Sequence, residues 1–356
     1  MALREIDYQG FRNLVNARLE FVEDFNFIIG ENGSGKTNLL EAICYVSLAS
    51  SFRAQEERSL IHFGDQFLKI DAKANGKKAV IYLDRDKKRL MLQGNEIHRL
   101  SDFIGWLDVT ILSIEDIWIV RGAPVKRRYY LDWVISKISP TYLSNLIEYR
   151  KILRQRNKVL QLVNDNGDTS LLDLFDEQLI NYGNELYKVR EENLPELKNN
   201  VAQFSAELGL NKVDIDYQSS CPDMRLNSNV LEEVRQKEVA FGQTVVGPHR
   251  DDLLFMVDGH PLKYYASEGE ERAVAIALKL AEAEILYNKK GTRPILLLDE
   301  VSAELDQNRK VVLLNLLKGQ IFYASTQMPE CAWIYQQKKY NIFKVKRGGI
   351  EVSGAN

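Results

Sequence analysis

The stretch that most constrains this chain is residues 30–37, which read Gly-Glu-Asn-Gly-Ser-Gly-Lys-Thr. An apolar run, Phe25-Asn26-Phe27-Ile28-Ile29, precedes it, and residues 38–47 behind it have the composition of a helix. Strand, glycine turn and helix in that order make a P-loop. Gly33 and Gly35 permit the tight coil in which successive backbone N–H groups converge on a phosphate at a helix N-terminus. Gly30, Glu31, Asn32, Ser34 and Asn38 complete the expected nucleotide-contacting set. Lys36 is expected to reach the β- and γ-phosphates, and the Thr37 hydroxyl to ligate Mg²⁺. A chance glycine turn would not need the Lys-Thr pair as well. The sequence predicts a nucleoside-triphosphate site.

With 356 residues there is room for two domains, or for one domain carrying a large insertion. Cys44, Cys221 and Cys331 are far apart and lack a C-x-x-C, which suggests a reducing compartment and no disulfide framework. The four histidines show no metal-ligand spacing, so no structural zinc is expected. No apolar stretch has the length of a membrane span, and the first residues carry no secretory apolar core. A cytoplasmic location, without membrane association, is the expectation. The net charge of −3 means that any nucleic-acid contact must come from a local patch.

Residues 3–29 alternate apolar and polar (Leu3, Ile6, Tyr8; then Ala17, Leu19, Phe21), which predicts a hairpin feeding the P-loop strand. Strand-like runs follow at 67–72, 79–83 and 89–92, with Asn75-Gly76 as a hairpin turn. The character changes after about residue 115. Between 121 and 158, ten basic residues meet only Asp132 and Glu148, with Tyr129, Tyr130, Trp133, Tyr142 and Tyr149 interleaved. Helical spacing links Ile138, Tyr142, Leu146, Tyr149 and Leu153, and again 171–189, with a polar loop over 160–170 between them. Residues 119–239 are thus read as an inserted helical lobe with a basic first half. Phosphate-backbone binding would use such cations, with the tyrosines either stacking on bases or packing in the core. A solvated helical face has the same composition. Arg127, Arg128, Arg150, Lys151 and Arg154 are the candidate DNA contacts.

The β pattern returns near 239, through Gly247-Pro248-His249-Arg250-Asp251-Asp252 and an apolar run at 253–257. Further on, Ile295-Leu296-Leu297-Leu298 ends in Asp299-Glu300, the pattern of a buried parallel strand with two carboxylates at its tip. Asp299 would stand opposite Thr37 at the metal, and Glu300 would orient or deprotonate an attacking water. Upstream, Ser267-x-Gly269 opens a helix, as an anion site or simply as a capping box with Glu270. The order matters more than either piece. P-loop, long insertion, serine-glycine helix, Asp-Glu strand and then Glu304-Leu305-Asp306 is the layout of an ABC-type ATPase head. In such heads the serine-glycine helix of one subunit covers the ATP held by its partner.

Over nearly its full length the chain resembles the RecF family of bacterial recombination-repair ATPases. The matching stretches are G-E-N-G-S-G-K-T-N-L-L-E-A-I (30–43), S-F-R (51–53) and I-E-D-I-W-I-V-R-G-A-P-V-K-R-R-Y-Y-L-D (114–132). They continue with Y-R-K-I-L-R-Q-R-N (149–157), V-G-P-H-R-D-D-L (246–253), A-L-K-L-A-E (277–282) and L-L-L-D-E-V-S-A-E-L-D (296–306). The resemblance implies an α/β, Rad50-like ATPase lobe of mixed sheets and helices, split into 1–118 and 240–356, around an inserted α-helical lobe. It implies an ATP-dependent homodimer that binds DNA at gaps, works with RecR and RecO and promotes RecA loading, in the cytoplasm at the nucleoid. It gives Lys36, Thr37, Asp299 and Glu300 the Walker roles and Ser267 and Gly269 the signature role. It also places Asp306 facing the partner's nucleotide and Glu115 in the Q-loop position.

Two departures stand out. The family signature usually reads Ser-Gln-Gly-Gln-Gln-Arg, whereas Glu268, Glu270 and Glu271 stand here. A carboxylate near a γ-phosphate is repulsive in a low-dielectric interface, so weaker or differently tuned engagement of ATP is expected. No histidine follows residues 320–325, so a switch-histidine role is either absent or filled by Thr326 or Gln327.

Other classes fit less well. Asp102-x-x-Gly105 and Asn211-Lys-Val-Asp214 mimic GTPase motifs, but neither has the flanking strand that fold needs. A transporter motor would need the leading Leu-Ser-Gly-Gly form that is missing here, and a coiled-coil tether would need heptads, while a nucleotide-regulated partner adaptor stays as the alternative. The sequence therefore predicts an ATP-gated DNA clamp with slow hydrolysis.

Overall fold

The computed structural model describes all residues except Gln55, 167–170, 302–304, Cys331 and Asn356, so Glu304 of the expected loop lies outside the described residues. The chain begins with β1 (Leu3–Gln9), β2 (Ala17–Glu20), β3 (Phe25–Ile29) and α1 (Lys36–Leu48). There follow β4 (Phe67–Ala74), β5 (Lys77–Asp84), β6 (Lys88–Leu92), β7 (Asn95–Ile97), α2 (Leu100–Phe103) and β8 (Val109–Ser113). Then come α3 (Ile117–Arg121), α4 (Pro124–Ile138), α5 (Pro140–Asn166), α6 (Leu172–Glu207), β9 (Val213–Gln218) and α7 (Ser228–Phe241). After these are β10 (Asp252–Val257), β11 (His260–Pro261), α8 (Leu262–Tyr265), α9 (Glu268–Lys290) and β12 (Ile295–Asp299). The last elements are α10 (Gln307–Leu316), β13 (Ile321–Ser325), α11 (Ala332–Gln337), β14 (Tyr340–Lys346) and β15 (Gly349–Ala355).

The chain divides into two compact units. The first comprises Met1–Asp116, Glu207–Gly209 and Ile276–Asn356. One of its two six-stranded sheets has the order β15-β14-β3-β13-β12-β8. From β14 to β8 neighbouring strands are parallel. The continuous apolar runs of β3, β12 and β13 fit this, because strands covered on both faces need no polar alternation. A second sheet, β2-β1-β4-β5-β6-β7, is antiparallel throughout, with alternating burial along β4 and β5. Helix α1 lies between the two sheets, touching β12 and β13 of one and β4 and β5 of the other. It is buried almost all round for that reason. The predicted hairpins form: Tyr8 pairs with Ala17, and Asn75 and Gly76 turn at φ 50° and 74°, as a two-residue hairpin loop requires.

The second unit, Ile117–Ala206 and Leu210–Ala275, is not purely helical. Besides α4, α5, α6 and α7 it holds an antiparallel sheet, β11-β10-β9. It therefore runs past the expected end at residue 239, carries Ser267 and Gly269, and yields to the first unit only at Ile276. The missed signal is the alternation Val213-Asp214-Ile215-Asp216, whose partner Phe255 lies forty residues away. The helix expected through Ile138 and Tyr142 breaks at Ser139, since Pro140 can start a helix but not sit inside one. The polar stretch expected as a loop from 160 is helical through Asn166. Among the described residues, no helix is long and apolar enough to cross a membrane.

Candidate nucleotide site

The C-terminal ends of β3, β13 and β12 finish in register, with Ile29 beside Ser325 and Ala324 beside Asp299. In open parallel sheets this edge is where ligands bind. The chain leaves β3, coils through Gly33 (φ 76°) and Gly35 (φ 117°), and enters α1 at Lys36. A side chain could not follow that path at Gly35 without strain. Nor could Gly30 carry one, because a Cβ there would stand 2.4 Å from the Val345 carbonyl oxygen.

The Thr37 hydroxyl donates to Asp299 Oδ1 at 2.9 Å, so the two expected metal ligands are brought together from residues 262 apart in sequence. Lys36 donates through Nζ to the carbonyls of Gly30 (2.8 Å) and Glu31 (3.0 Å), and pairs with Glu300 Oε1 at 2.9 Å. Burial pushes the Asp299 carboxyl above its ordinary range; the Thr37 hydrogen bond opposes this and the Glu300 charge adds to it. Glu300 itself has φ 55°, a left-handed conformation costing a non-glycine residue about 1–2 kcal/mol. Its N–H donates to the Ala324 carbonyl, which holds this backbone in place. Ser34 Oγ is buried with no hydrogen-bond partner among the described residues.

Gly33, Gly35, Lys36, Thr37, Asp299 and Glu300 line a cleft of about 440 Å³, completed by Asn32, Asn38, Phe52, Arg53 and Ser113–Glu115. That volume accommodates a ligand of nucleotide size. A hydroxyl facing a carboxylate fits Mg²⁺, which takes oxygen ligands. The buried Lys36 and the orphan Ser34 hydroxyl fit a phosphate. Arg53 Nη1 reaches Asn38 Oδ1 at 3.3 Å. Phe52 and Arg53 of the S-F-R stretch thus form one wall. Glu115 lines the cleft where the Q-loop was expected. Its turn is fixed by Asp116, which accepts from the Ser113 N–H at 2.6 Å; burial raises the Asp116 carboxyl to about 6.

Ser267 and Gly269 lie in the second unit, at the start of α9. Ser267 donates to Glu270 Oε2 through both its hydroxyl and its N–H, each at 2.7 Å. This is the capping box, and it occupies the serine hydroxyl. Asp306 caps α10, accepting from the Arg309 N–H at 2.9 Å, and is not among the cleft-lining residues. The GTPase-like Asn211–Asp214 segment lies at the start of β9 in the second unit, apart from the P-loop unit in the fold's division, and Asp102 sits in α2.

The basic stretch separates into two groups. Arg127 is corrected as a DNA candidate: it is buried, with a bidentate pair to Asp252 at 2.7 and 2.8 Å and a hydrogen bond to the Gly122 carbonyl. Four of its five donors are used, two of them joining α4 to Asp252 of β10. Arg156, quoted within the basic run, is likewise closed off by Asp176 and Glu238. Arg128 is half-buried and donates to the Asp251 carbonyl. Arg150, Lys151 and Arg154 are exposed on α5, Arg150 leaning on Asp132 and Lys151 on Glu148. Tyr130, Tyr142 and Tyr149 are core residues, whereas Tyr129 is exposed.

The Gly247–Asp252 motif, left without a role by sequence reasoning, organises this unit. Asp251 accepts from Arg190, Tyr187, Tyr217 and Ser220. Gly247 approaches Tyr149 so closely that a Cβ would lie 2.6 Å from its hydroxyl. The Tyr149 hydroxyl hydrogen-bonds His249 Nδ1 at 2.7 Å, and burial lowers the His249 pKa to about 3, so the imidazole is neutral.

Residues 2–328 match the family model described as the RecF/RecN/SMC N-terminal domain. A DNA replication and repair protein RecF from Oceanobacillus iheyensis is 35% identical over 368 residues, spanning 98% of this chain and 100% of that one. Its counterpart from Thermoanaerobacter pseudethanolicus is 36% identical over 333 residues, 90% of this chain and 92% of the relative. A solved structure of the recombination mediator protein RecF with ATP, in the RecFOR pathway, superposes with TM-score 0.88 at 33% identity, covering 99% and 97% of the two chains. An Smc head bound to the C-winged helix domain of ScpA shares the fold at TM-score 0.59 and 16% identity, covering 99% and 97%.

Proposed function

Because this chain belongs to the RecF family, within the wider RecF/RecN/SMC group, we propose that it is an ATP-dependent DNA-binding clamp of recombinational repair and replication. The observation that carries the reading is the cleft, where Thr37 meets Asp299 and Lys36 meets Glu300 at the ends of adjacent strands. The loop N–H groups and Lys36 would hold the triphosphate of ATP. Thr37 and Asp299 would hold Mg²⁺, which when bound neutralises phosphate charge. Glu300, released from Lys36 as the phosphates take that cation, would orient and deprotonate the attacking water.

ATP would join two copies, with Ser267 and Gly269 of one covering the nucleotide of the other and Asp306 facing it. The dimer would close on DNA at a gap and release it on slow hydrolysis. Arg150, Lys151 and Arg154, with Arg128 beside them, would grip phosphates, making binding steeply salt-dependent and nearly sequence-independent. The RecFOR pathway named with the ATP-bound relative supports RecO and RecR as partners, and RecA loading would be the outcome. With DNA as its target, the protein would work in the cytoplasm at the nucleoid.

The test is fluorescence anisotropy on gapped duplex, with and without ATP, for the wild type and Glu300→Gln. ATP should tighten binding, and Glu300→Gln should hold DNA longer. ATP that binds without changing DNA affinity would overturn the clamp in favour of a nucleotide-regulated adaptor.

A further inference from the structure

The second unit holds a cavity of its own, about 370 Å³, between α4, α5 and α6. Val125, Leu146 and Leu153 give it apolar walls, Tyr129 stands at its edge, and Arg128 and His249 face into it. The charges do not balance. Asp132, the carboxylate in the wall, already accepts from Arg190 (2.7 Å), Tyr142 (2.6 Å) and Arg150 (3.0 Å). Asp251 is taken up by Arg190 and its hydroxyl neighbours. Among the described residues, the half-buried Arg128 guanidinium makes one hydrogen bond, to the Asp251 carbonyl at 2.7 Å. Four of its five N–H donors are left over. Burial lowers its pKa; the charges of Asp252 and Asp251 oppose this, but both carboxylates are already paired, with Arg127 and Arg190, and the neutral His249 supplies no anion.

An apolar slot, an aromatic edge and an under-compensated guanidinium together select a ligand with a planar ring and an anionic group. Tyr129 is prepared for stacking: it is 58% exposed and lies nearly parallel to Trp133, with centroids 6.3 Å apart and planes at 13°. Arg150 also lines the cavity, and Arg154 and Lys158 continue from it at four-residue spacing along α5, exposed on one helix face. Repeated cations suit repeated phosphates, which a single acidic peptide residue would not need. The volume lies within the range of small-ligand pockets.

We propose that this cavity holds one unstacked nucleotide of a DNA strand, its base on Tyr129 and its phosphate on Arg128. The proposal rests on the DNA-binding reading above and adds a single-nucleotide pocket to it.

The experiment compares blunt duplex with the same duplex carrying a short single-stranded tail that contains 2-aminopurine. The tail should tighten binding about tenfold and its fluorescence should rise as the base leaves the stack. Tyr129→Ala, at an exposed position, should return the tailed affinity to the blunt value, and Val125→Trp, which fills the cavity from its rim, should do the same. Neither should change blunt-duplex affinity by more than about twofold. A tail without effect, or a gain that survives both variants, overturns the pocket while leaving duplex binding standing. So does displacement of the tail by an acidic peptide but not by thymidine monophosphate, which would give the cavity to a protein partner. If neither duplex binds, the DNA reading fails and the pocket falls with it.

Discussion

Lys36 and Arg190 are both nearly fully buried cations, at 3% and 1% exposure, and their surroundings differ in kind. Arg190 meets Asp132 and Asp251, the hydroxyls of Tyr142 and Tyr217, and the Pro248 carbonyl. Every one of those partners belongs to the second unit, so the network is closed on itself. Lys36 leans on two backbone carbonyls and on Glu300, a side chain on the open cleft whose backbone is held left-handed. Beside it the Ser34 hydroxyl has no described partner. A closed polar network fixes one packing, and a half-satisfied one beside a cleft leaves capacity for a ligand. Burial of a charge is therefore not the sign of a site; what its partners leave unused is.

This contrast can be broken most sharply at Asp251. Asp251→Ala leaves Arg190 partly unpaired inside the second unit and removes the acceptor for Tyr187, Tyr217 and Ser220, which should cost about 3–5 kcal/mol. Urea unfolding followed by circular dichroism would read this, with ATP affinity per folded molecule unchanged. A loss below about 1 kcal/mol would mean that the network is not the closed support its geometry describes. Lys36→Met is the converse. It should weaken ATP binding about 100-fold, the scale of a lost charge-assisted contact, while shifting stability little because the partners it leaves are carbonyls and a cleft carboxylate. Titration with a fluorescent ATP analogue checks the first part and thermal unfolding the second. A variant that unfolds as readily as Asp251→Ala would erase the distinction between the two cations.

The same contrast explains what could be read from sequence. The P-loop and the Asp-Glu strand were legible because each is local: a glycine pattern of eight residues, and an apolar run ending in two acids. Their meeting at Thr37 and Asp299 follows once both strands are parallel in one sheet, a long-range consequence of two local patterns. Arg127 was misread because its partner Asp252 lies 125 residues on, and nothing local separates a paired arginine from Arg154 on the surface. The Gly247–Asp252 motif stayed mute for the same reason, its partners being scattered over α5, α6 and β9. The long second unit hid β9, since its strand partner comes after another helix.

Glu270 tests the boundary between closed and open groups with the smallest expected effect. Its carboxylate accepts from the hydroxyl and N–H of Ser267, which closes the helix end as a capping box. In the proposed dimer that hydroxyl must turn to a γ-phosphate, so Glu270 both holds the donor and repels the incoming charge. Glutamine keeps the box, because its amide oxygen can accept the same two hydrogen bonds, and removes the charge. Glu270→Gln should therefore leave thermal stability nearly unchanged and tighten ATP-induced dimerisation several-fold, measured by light scattering across a concentration series. Glu271→Gln is the control, since Glu271 is buried in an ion pair with Arg121 and its loss should act on stability instead. Dimerisation that is unchanged or weaker in Glu270→Gln would place the capping box among the closed contacts, as a helix end and nothing more.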